Sequence, residues 1–149
     1  YIDQGAISAA GHTPVADLDA ALDGVDFLCI HCPKNPQTID LFGAKRLAAL
    51  KKGAFAVNTA RGGIINEPAL YDALKSGHIA GAGLDVFDVE PAPPDHPLLT
   101  LSNVISSPHM AGVTVEAMDA MAVATARNIL SVLDGAANKE NTVNPEVYG

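Results

Sequence analysis

The sequence predicts an α/β protein built on a parallel β-sheet, and three observations support that fold class. Short apolar segments of strand character alternate with segments of helical periodicity. Glycine, asparagine or proline marks most of the boundaries between them. The strand segments are nearly continuous in apolar residues, as in sheets that helices cover on both faces. Because such strands are joined by right-handed crossovers, the residues that follow each strand should meet along one edge of the sheet.

Composition restricts the classes of function that the chain can have. Its 149 residues, 48% hydrophobic and 17% charged, suffice for one well-buried domain but not for two. A net charge of −8 and a pI of about 4.8 disfavour nucleic acid as a partner. No apolar run approaches the roughly 20 residues that cross a bilayer, and no secretory leader opens the chain. We therefore expect a cytoplasmic protein with no membrane partner. Because the chain opens on Tyr1 and not on methionine, we interpret it as a fragment.

The first third of the chain contains one predicted core strand. Residues 1–13 are rich in glycine and alanine without a sustained period, and we expect a loop there with at most a short helical turn. Residues 14–15 could form a short strand, after which Asp17 is predicted to cap a small helix that ends at Gly24. The apolar segment 25–30 is the first core strand. The residues after it are the first candidates for the ligand-facing edge.

Two cysteines, Cys29 and Cys32, lie at the end of this strand. A single C-x-x-C can be half of a redox or metal site, but no second pair completes a structural zinc site. Residues three apart on a strand face opposite sides of the sheet, which disfavours a disulfide. We expect one cysteine in the core, one at the end of the strand, and no metal site.

The central segment, residues 53–67, joins a strand, an arginine turn and a helix start. A helix over 43–52 should place Leu47 and Leu50 in the core, and residues 54–57 are predicted to be a fully buried strand. Arg61 is then the first charged group after the core, and Gly62 and Gly63 let a ligand approach the main chain beside it. An arginine at the carboxyl end of a strand suits a ligand site, although an ordinary surface arginine would look the same.

The remaining elements repeat the alternation. Asn66 is predicted to cap a helix over 67–76, and a glycine-rich strand follows at 79–86. The proline-rich residues 87–101 should form an ordered loop without regular structure. A fourth strand over 103–107 is followed by a long helix from Thr114 to about residue 133 and by a polar, extended tail.

Chemically useful side chains gather at the predicted carboxyl ends of the four strands, in residues 31–33, 59–61, 85–90 and 108–112. Histidine is the general base whose ordinary pKa lies nearest neutral pH, and a carboxylate on its far ring nitrogen fixes the tautomer. Arginine binds a substrate carboxylate bidentately and polarises a carbonyl. Oxidation of a 2-hydroxy acid by such a set releases a hydride that no side chain accepts, which implies a nicotinamide cofactor.

Three runs make this interpretation more specific: NTARGGIINEPAL, GAGLDVFDVEP and SPHMAG, in this order and at this spacing. Together they resemble the signature segments of the D-isomer-specific 2-hydroxyacid dehydrogenases, a family that includes D-3-phosphoglycerate dehydrogenase. The resemblance extends from about Val15 to Pro145. It implies a Rossmann-type dinucleotide-binding domain of which this chain holds the later half, an NAD-dependent oxidoreductase of the EC 1.1.1 type, and a small 2-keto or 2-hydroxy acid as substrate.

The same resemblance implies roles for individual residues. Arg61 would bind the substrate carboxylate and keto oxygen, His109 would be the acid/base, and Glu90 would orient it. Asp85 would contact the nicotinamide carboxamide. The further cofactor contacts implied are Cys32, Pro33, Thr38, Thr59, Ala60 and Gly112, together with Arg61 and His109 themselves.

The chain departs from the family at its phosphate loop, because it contains no G-x-G-x-x-G motif. We therefore expect residues 1–112 to be a partial NAD-binding domain without its glycine-rich loop. Residues 113–149 would be a long helix and tail returning to a substrate domain. NADP is not excluded, because Asp3 cannot be assigned to the ribose. This piece alone should not turn over.

Two other functions fit the same residues. One is a dehydrogenase-like corepressor of the carboxyl-terminal-binding type, which keeps the fold and works by recruiting partners. The other is a nucleotide-binding module without catalysis, which the joint placement of Arg61, Glu90 and His109 disfavours. The resemblance also implies a homodimer formed through the nucleotide domain.

Overall fold

The computed structural model describes residues 3–148 and contains a parallel four-stranded sheet. Its strands lie side by side in chain order and are β1 (Phe27–Ile30), β2 (Ala54–Asn58), β3 (Ile79–Leu84) and β4 (Val104–Ser106). All three strand pairings are parallel. The predicted α/β class and the predicted common edge are therefore confirmed.

Residues 3–148 contain five α-helices: α1 (Gln4–Ala9), α2 (Leu18–Ala21), α3 (Ala44–Ala49), α4 (Glu67–Lys75) and α5 (Val115–Leu133). Three predicted caps are present. The Asp17 side chain accepts from the N–H groups of residues 19 and 20, and the Asn66 and Thr114 side chains accept from the third residue beyond each of them. Each cap satisfies N–H groups that the first helical turn leaves without an intrahelical acceptor.

The structure differs from several predicted elements. Residues 4–9 form a six-residue helix, longer than the short helical turn that was allowed within the predicted loop, and the Asp3 carboxylate caps its start by accepting the Ala6 N–H at 3.1 Å. The first two residues of that predicted loop lie outside the described residues. Residues 14–15 form no strand. The helix predicted over 43–52 covers only Ala44–Ala49, since Leu50 has extended backbone. Short 3₁₀ helices occur at Pro97–Thr100, Lys139–Asn141 and Pro145–Tyr148 where no regular structure was expected.

One face of the sheet is buried and the other is not. Ala54, Ala56 and Asn58 of β2 are buried, whereas Phe55 between them is 44% exposed. Phe27 of β1 stacks on Phe55 with ring centroids 5.5 Å apart and is itself exposed. The expectation of helices over both faces is therefore wrong for this segment of chain: strand side chains alternate between faces, and the core lies on one of them.

The core packs α3 and α4 against the buried face. Buried apolar residues come from the sheet and from both helices; they include Leu28, Ile30, Ala54, Ala56, Ala82 and Leu84 from the strands, Leu47 from α3, Leu50 just after it, and Leu70 and Leu74 from α4. The helical leucines match the predicted apolar stripes. This packing holds α4 against β3 and α3.

The chain divides into two compact units, one up to His109 and the other from Met110 onward. The second unit consists of α5 and the tail. Among the described residues no helix is long and apolar enough to cross a membrane.

Candidate active site at the carboxyl edge of the sheet

A histidine and a glutamate meet where β3 and β4 end. His109 Nδ1 lies 2.7 Å from Glu90 Oε2, although 19 residues separate the two in the chain. His109 has a left-handed backbone, with φ of 54°, and its N–H donates to the Asp85 carbonyl at 2.8 Å. A non-glycine residue is rarely left-handed, so these two contacts hold His109 in a conformation that it would not adopt alone.

The Glu90 carboxylate is held by two donors. Besides the contact with His109, its Oε1 accepts the Phe87 N–H at 3.0 Å. The hydrogen bond with His109 is the largest cause that lowers the pKa of Glu90 below its ordinary value, and the Phe87 N–H is the second. The positive charge of Arg61 is a smaller cause that also lowers that pKa. Glu90 is therefore a carboxylate that can pair with an imidazolium.

Arg61 is exposed on a turn that the side chain of Asn58 shapes. Asn58 is buried at the end of β2; its Nδ2 donates to the Arg61 carbonyl at 2.9 Å and its Oδ1 accepts the Ala60 N–H at 3.1 Å. The Arg61 guanidinium donates to the Ala60 carbonyl at 2.6 Å. Sequence reasoning did not single out Asn58. The signal that could have found it is a polar residue that ends a buried strand.

The turn after Arg61 lies directly against the loop that carries Glu90. A Cβ placed on Gly62 would lie 1.9 Å from the carbonyl oxygen of Phe87. Only glycine allows two backbones to approach this closely. The predicted close approach at Gly62 is therefore present, but the partner is the neighbouring loop of the protein.

Asp85 is 4% exposed, and it is tied to the residues around His109. The Ser107 hydroxyl donates to its Oδ1, and its backbone N–H donates to the Asn58 carbonyl at 3.0 Å. Sequence reasoning did not identify Ser107. Asp85, Ser107 and His109 line a cavity of about 550 Å³ with Glu90 and the apolar side chains of Phe87, Pro91, Ala92 and Leu99. The cavity therefore offers a buried acceptor beside an acid/base pair.

The predicted residues after β1 form a separate loop. Thr38 is buried, and its hydroxyl donates to the Pro33 carbonyl at 2.7 Å, so this hydroxyl stabilises the loop itself. Cys29 on β1 is exposed and Cys32 is half-buried, both with free thiols, so the expectation of one cysteine in the core is wrong: Cys29 lies on the exposed face of its strand. Thr59 is exposed and Ala60 half-buried next to Arg61. No cluster of three or more histidine, cysteine, aspartate or glutamate residues that could hold a metal ion occurs within residues 3–148.

Gly112 belongs to the second unit. It lies in a turn closed by the Val113 N–H, which donates to the Met110 carbonyl at 2.9 Å.

Comparison with known proteins agrees with this geometry. Residues 2–111 match the family described as "D-isomer specific 2-hydroxyacid dehydrogenase, NAD binding domain". A glyoxylate reductase from Thermofilum pendens is 48% identical over 119 residues, which are 80% of this chain and 35% of that protein. A D-3-phosphoglycerate dehydrogenase from Methanocaldococcus jannaschii is 44% identical over 144 residues, 97% of this chain and 27% of that protein.

A solved structure is similar as well. It is a D-isomer specific 2-hydroxyacid dehydrogenase from Xanthobacter autotrophicus Py2, described as a complex with NADPH and MES. The TM-score is 0.66 at 41% identity, over 79% of this chain and 38% of that one. The chain thus spans about a quarter to two fifths of the length of the relatives it matches. On the extent of the family match and the similarity to these relatives, the chain belongs to the D-isomer specific 2-hydroxyacid dehydrogenases.

Proposed function

We propose that the full-length protein is an NAD(H)-dependent oxidoreductase of the EC 1.1.1 type that interconverts a D-2-hydroxy acid and its 2-keto acid. The observation that carries the proposal is the 2.7 Å contact between His109 and Glu90, on a loop against which the turn that follows Arg61 packs. These are the three groups that this chemistry requires of the protein: an acid/base, a group that orients it, and a cation for the substrate carboxylate.

Each group has a distinct task. Glu90 occupies Nδ1 of His109, which leaves Nε2 to exchange a proton with the substrate oxygen. The Glu90 carboxylate stabilises the imidazolium that donates this proton during keto-acid reduction. Arg61 has the planar guanidinium that pairs with a carboxylate through two parallel hydrogen bonds. The Asn58 side chain binds both the Ala60 N–H and the Arg61 carbonyl. The turn that carries Arg61 is therefore ordered before substrate binds.

The residues beside the cavity suit a nicotinamide. Asp85 supplies a buried carboxylate that can accept from an amide N–H, and apolar side chains complete the wall. Bound NAD(H) supplies the hydride acceptor or donor. The backbone of Thr59 and Ala60 and the loop with Cys32, Pro33 and Thr38 are the further candidates for contact, with Gly112 after the histidine. The family description names NAD and the Xanthobacter structure names NADPH, so both cofactors belong in the assay.

The test uses the full-length protein. Glyoxylate reduction and D-3-phosphoglycerate oxidation, the reactions that the names of two relatives suggest, are followed at the nicotinamide absorbance with each cofactor. His109→Gln should lower kcat/KM by about 10²–10⁴-fold, the range that general acid/base catalysis contributes. His12→Gln, a change at an exposed histidine, should leave kcat/KM unaltered.

Turnover by His109→Gln at the wild-type rate would refute the role of His109. Absence of turnover by the wild-type protein with every 2-keto acid tested, combined with partner binding, would favour the corepressor alternative.

We propose further that residues 1–112 belong to the nucleotide domain, that 113–149 return to a substrate domain, and that the protein is a cytoplasmic homodimer. Exposed apolar side chains on α5 support a packing role for this helix; they include Met118, Met121, Ile129 and Leu133. The mass of the full-length protein in solution tests the dimer.

A further inference from the structure

A second histidine–carboxylate pair lies next to the candidate active site and takes no part in the proposed reaction. His96 Nε2 lies 3.1 Å from Glu67 Oε2, and the two side chains are only 14% and 19% exposed. His96 Nδ1 accepts the Leu98 N–H at 3.3 Å, so the proton of the neutral ring is on Nε2 and points to Glu67. The ring also packs edge-on against Phe87, with centroids 5.2 Å apart. This pair is ordered and largely shielded from water.

The other oxygen of Glu67 reaches the turn that holds Glu90. Glu67 Oε1 accepts the Asp88 N–H at 2.7 Å, while the preceding N–H, that of Phe87, donates to Glu90 Oε1 at 3.0 Å. Two successive backbone donors are thus bound by two different glutamates. One of these glutamates starts helix α4 and the other binds His109. Glu67 and Glu90 are therefore bound to two consecutive peptide units that meet at the Cα of Phe87.

The other contacts to this turn are of a different kind. Gly62 touches the Phe87 carbonyl, which limits how close the loops come but does not hold them together. Lys34 pairs with the Asp88 side chain at 3.1 Å, with 37% and 57% of the two side chains exposed. Exposed pairs of this type typically contribute only about 0–1 kcal/mol. The Glu67 side chain, which is 19% exposed, is more shielded from water than either partner of the Lys34–Asp88 pair, and it accepts directly from the backbone of the turn.

We propose that Glu67 and His96 form a positioning pair that fixes the Phe87–Asp88 peptide and, through it, the Glu90 carboxylate against His109. His96 orients the Glu67 carboxylate by donating from Nε2, and Glu67 binds the Asp88 N–H. This proposal rests on the proposed function only in its kinetic consequence. Its structural consequence, the state of Glu90, can be measured without turnover.

The kinetic test is a double-mutant cycle in the full-length protein with Glu67→Gln, Glu90→Gln and the combined variant. The glutamine amide would oppose the His96 Nε2–H, so Glu67→Gln should lower kcat by roughly 10-fold with little change in KM, less than Glu90→Gln does. Because Glu67 acts through Glu90, the double variant should be no slower than Glu90→Gln alone. Losses that multiply would overturn the proposal. Asp72→Asn, an equal charge change at an exposed site on α4, is the control.

Variants of His96 provide the second kinetic arm. His96→Gln keeps an N–H donor for Glu67 and should retain most of the activity. His96→Leu removes this donor and should lower kcat by about as much as Glu67→Gln does. Equal activity of the two His96 variants would contradict an orienting role.

The turnover-independent test is the pKa of Glu90, read from the side-chain carboxyl carbon by NMR and assigned with Glu90→Gln. The hydrogen bonds from His109 and Phe87 lower this pKa, so loosening the turn should raise it toward its ordinary value of 4.5 in Glu67→Gln but not in Asp72→Asn. An unchanged pKa in Glu67→Gln would overturn the proposal even if the protein is an active dehydrogenase. A raised pKa in a protein without turnover would support the positioning pair while refuting the proposed function.

Discussion

Asn58, Asp85 and Glu90 show how single polar side chains hold the site in place. Asn58 and Asp85 are 2% and 4% exposed, and each bonds to backbone or side-chain groups of a neighbouring turn. Buried polar groups of this kind are expensive to leave unpaired, which is why their partners are held firmly. Glu90 is different, since 36% of its side chain is exposed and its partner is itself titratable. Its contribution to stability should depend on pH.

The lowered pKa of Glu90 determines whether its contribution to stability rises or falls with pH. A carboxylate whose pKa is lower in the folded than in the unfolded state stabilises the fold above its ordinary pKa of 4.5. This contribution is lost as pH falls through the folded-state value. We expect Glu90→Gln to lower the free energy of unfolding at about pH 7 and to have a smaller effect at about pH 3.5.

Urea unfolding of the wild-type protein and the variant at both pH values checks this prediction. Glu146→Gln, at an exposed position in the tail, controls for the loss of a negative charge. A Glu90→Gln effect that is the same at both pH values would contradict the linkage.

At the scale of elements, the site depends on how closely two loops approach. The turn after β2 and the loop after β3 belong to neighbouring parallel strands, so their backbones emerge side by side. Gly62 faces the Phe87 carbonyl there, and Asn66 starts α4 four residues later with its side chain bound to the Ala69 N–H. This contact places the turn that carries Arg61 against the loop that carries Glu90.

Gly62→Ala should therefore destabilise the protein and impair the site together. The added methyl group would overlap the Phe87 carbonyl, and overpacking typically costs about 1–3 kcal/mol, with larger values where backbone must move. Gly43→Ala is the matched control, because a Cβ at Gly43 would lie 3.7 Å from the nearest atom. Denaturant unfolding compares the two. If the two variants lose equally small amounts of unfolding free energy, the close contact between Gly62 and the Phe87 carbonyl is not needed for stability.

At the scale of the whole molecule, the described chain leaves apolar surface exposed. Phe27, Phe55 and Ile105 lie on the open face of the sheet, 65%, 44% and 80% exposed. Parallel sheets are normally covered on both faces. The relatives that the chain matches are about two and a half to four times as long as the matched segment, so they have further chain that could supply such a cover.

The 149-residue chain alone should consequently show no turnover of 2-keto acids, whereas the full-length protein should. The reason is chemical as well: the sequence contains no glycine-rich phosphate loop, which is the usual site for the cofactor pyrophosphate. Purified samples of both lengths are assayed at equal molar concentration with NADH and NADPH. Measurable reduction by the short chain, above that of its His109→Gln variant, would refute this prediction.

The sequence by itself determined the α/β class, the four strands and the caps at Asp17, Asn66 and Thr114, because these follow from local periodicity and from side chains that bond to nearby backbone. It also indicated Arg61, Glu90 and His109, since the carboxyl ends of parallel strands share an edge. The helix at residues 4–9 and the 3₁₀ turns were missed, as their local hydrogen bonds leave little periodic signal. Only the tertiary structure decided which face of the sheet is buried, and only it identified Asn58, Ser107 and the Glu67–His96 pair as parts of the site. The Asn58 contact depends on the geometry of one turn, and the other two contacts join residues 22 and 29 positions apart in the chain. Their partners are set by how the loops pack, and a local sequence pattern carries no information about that packing.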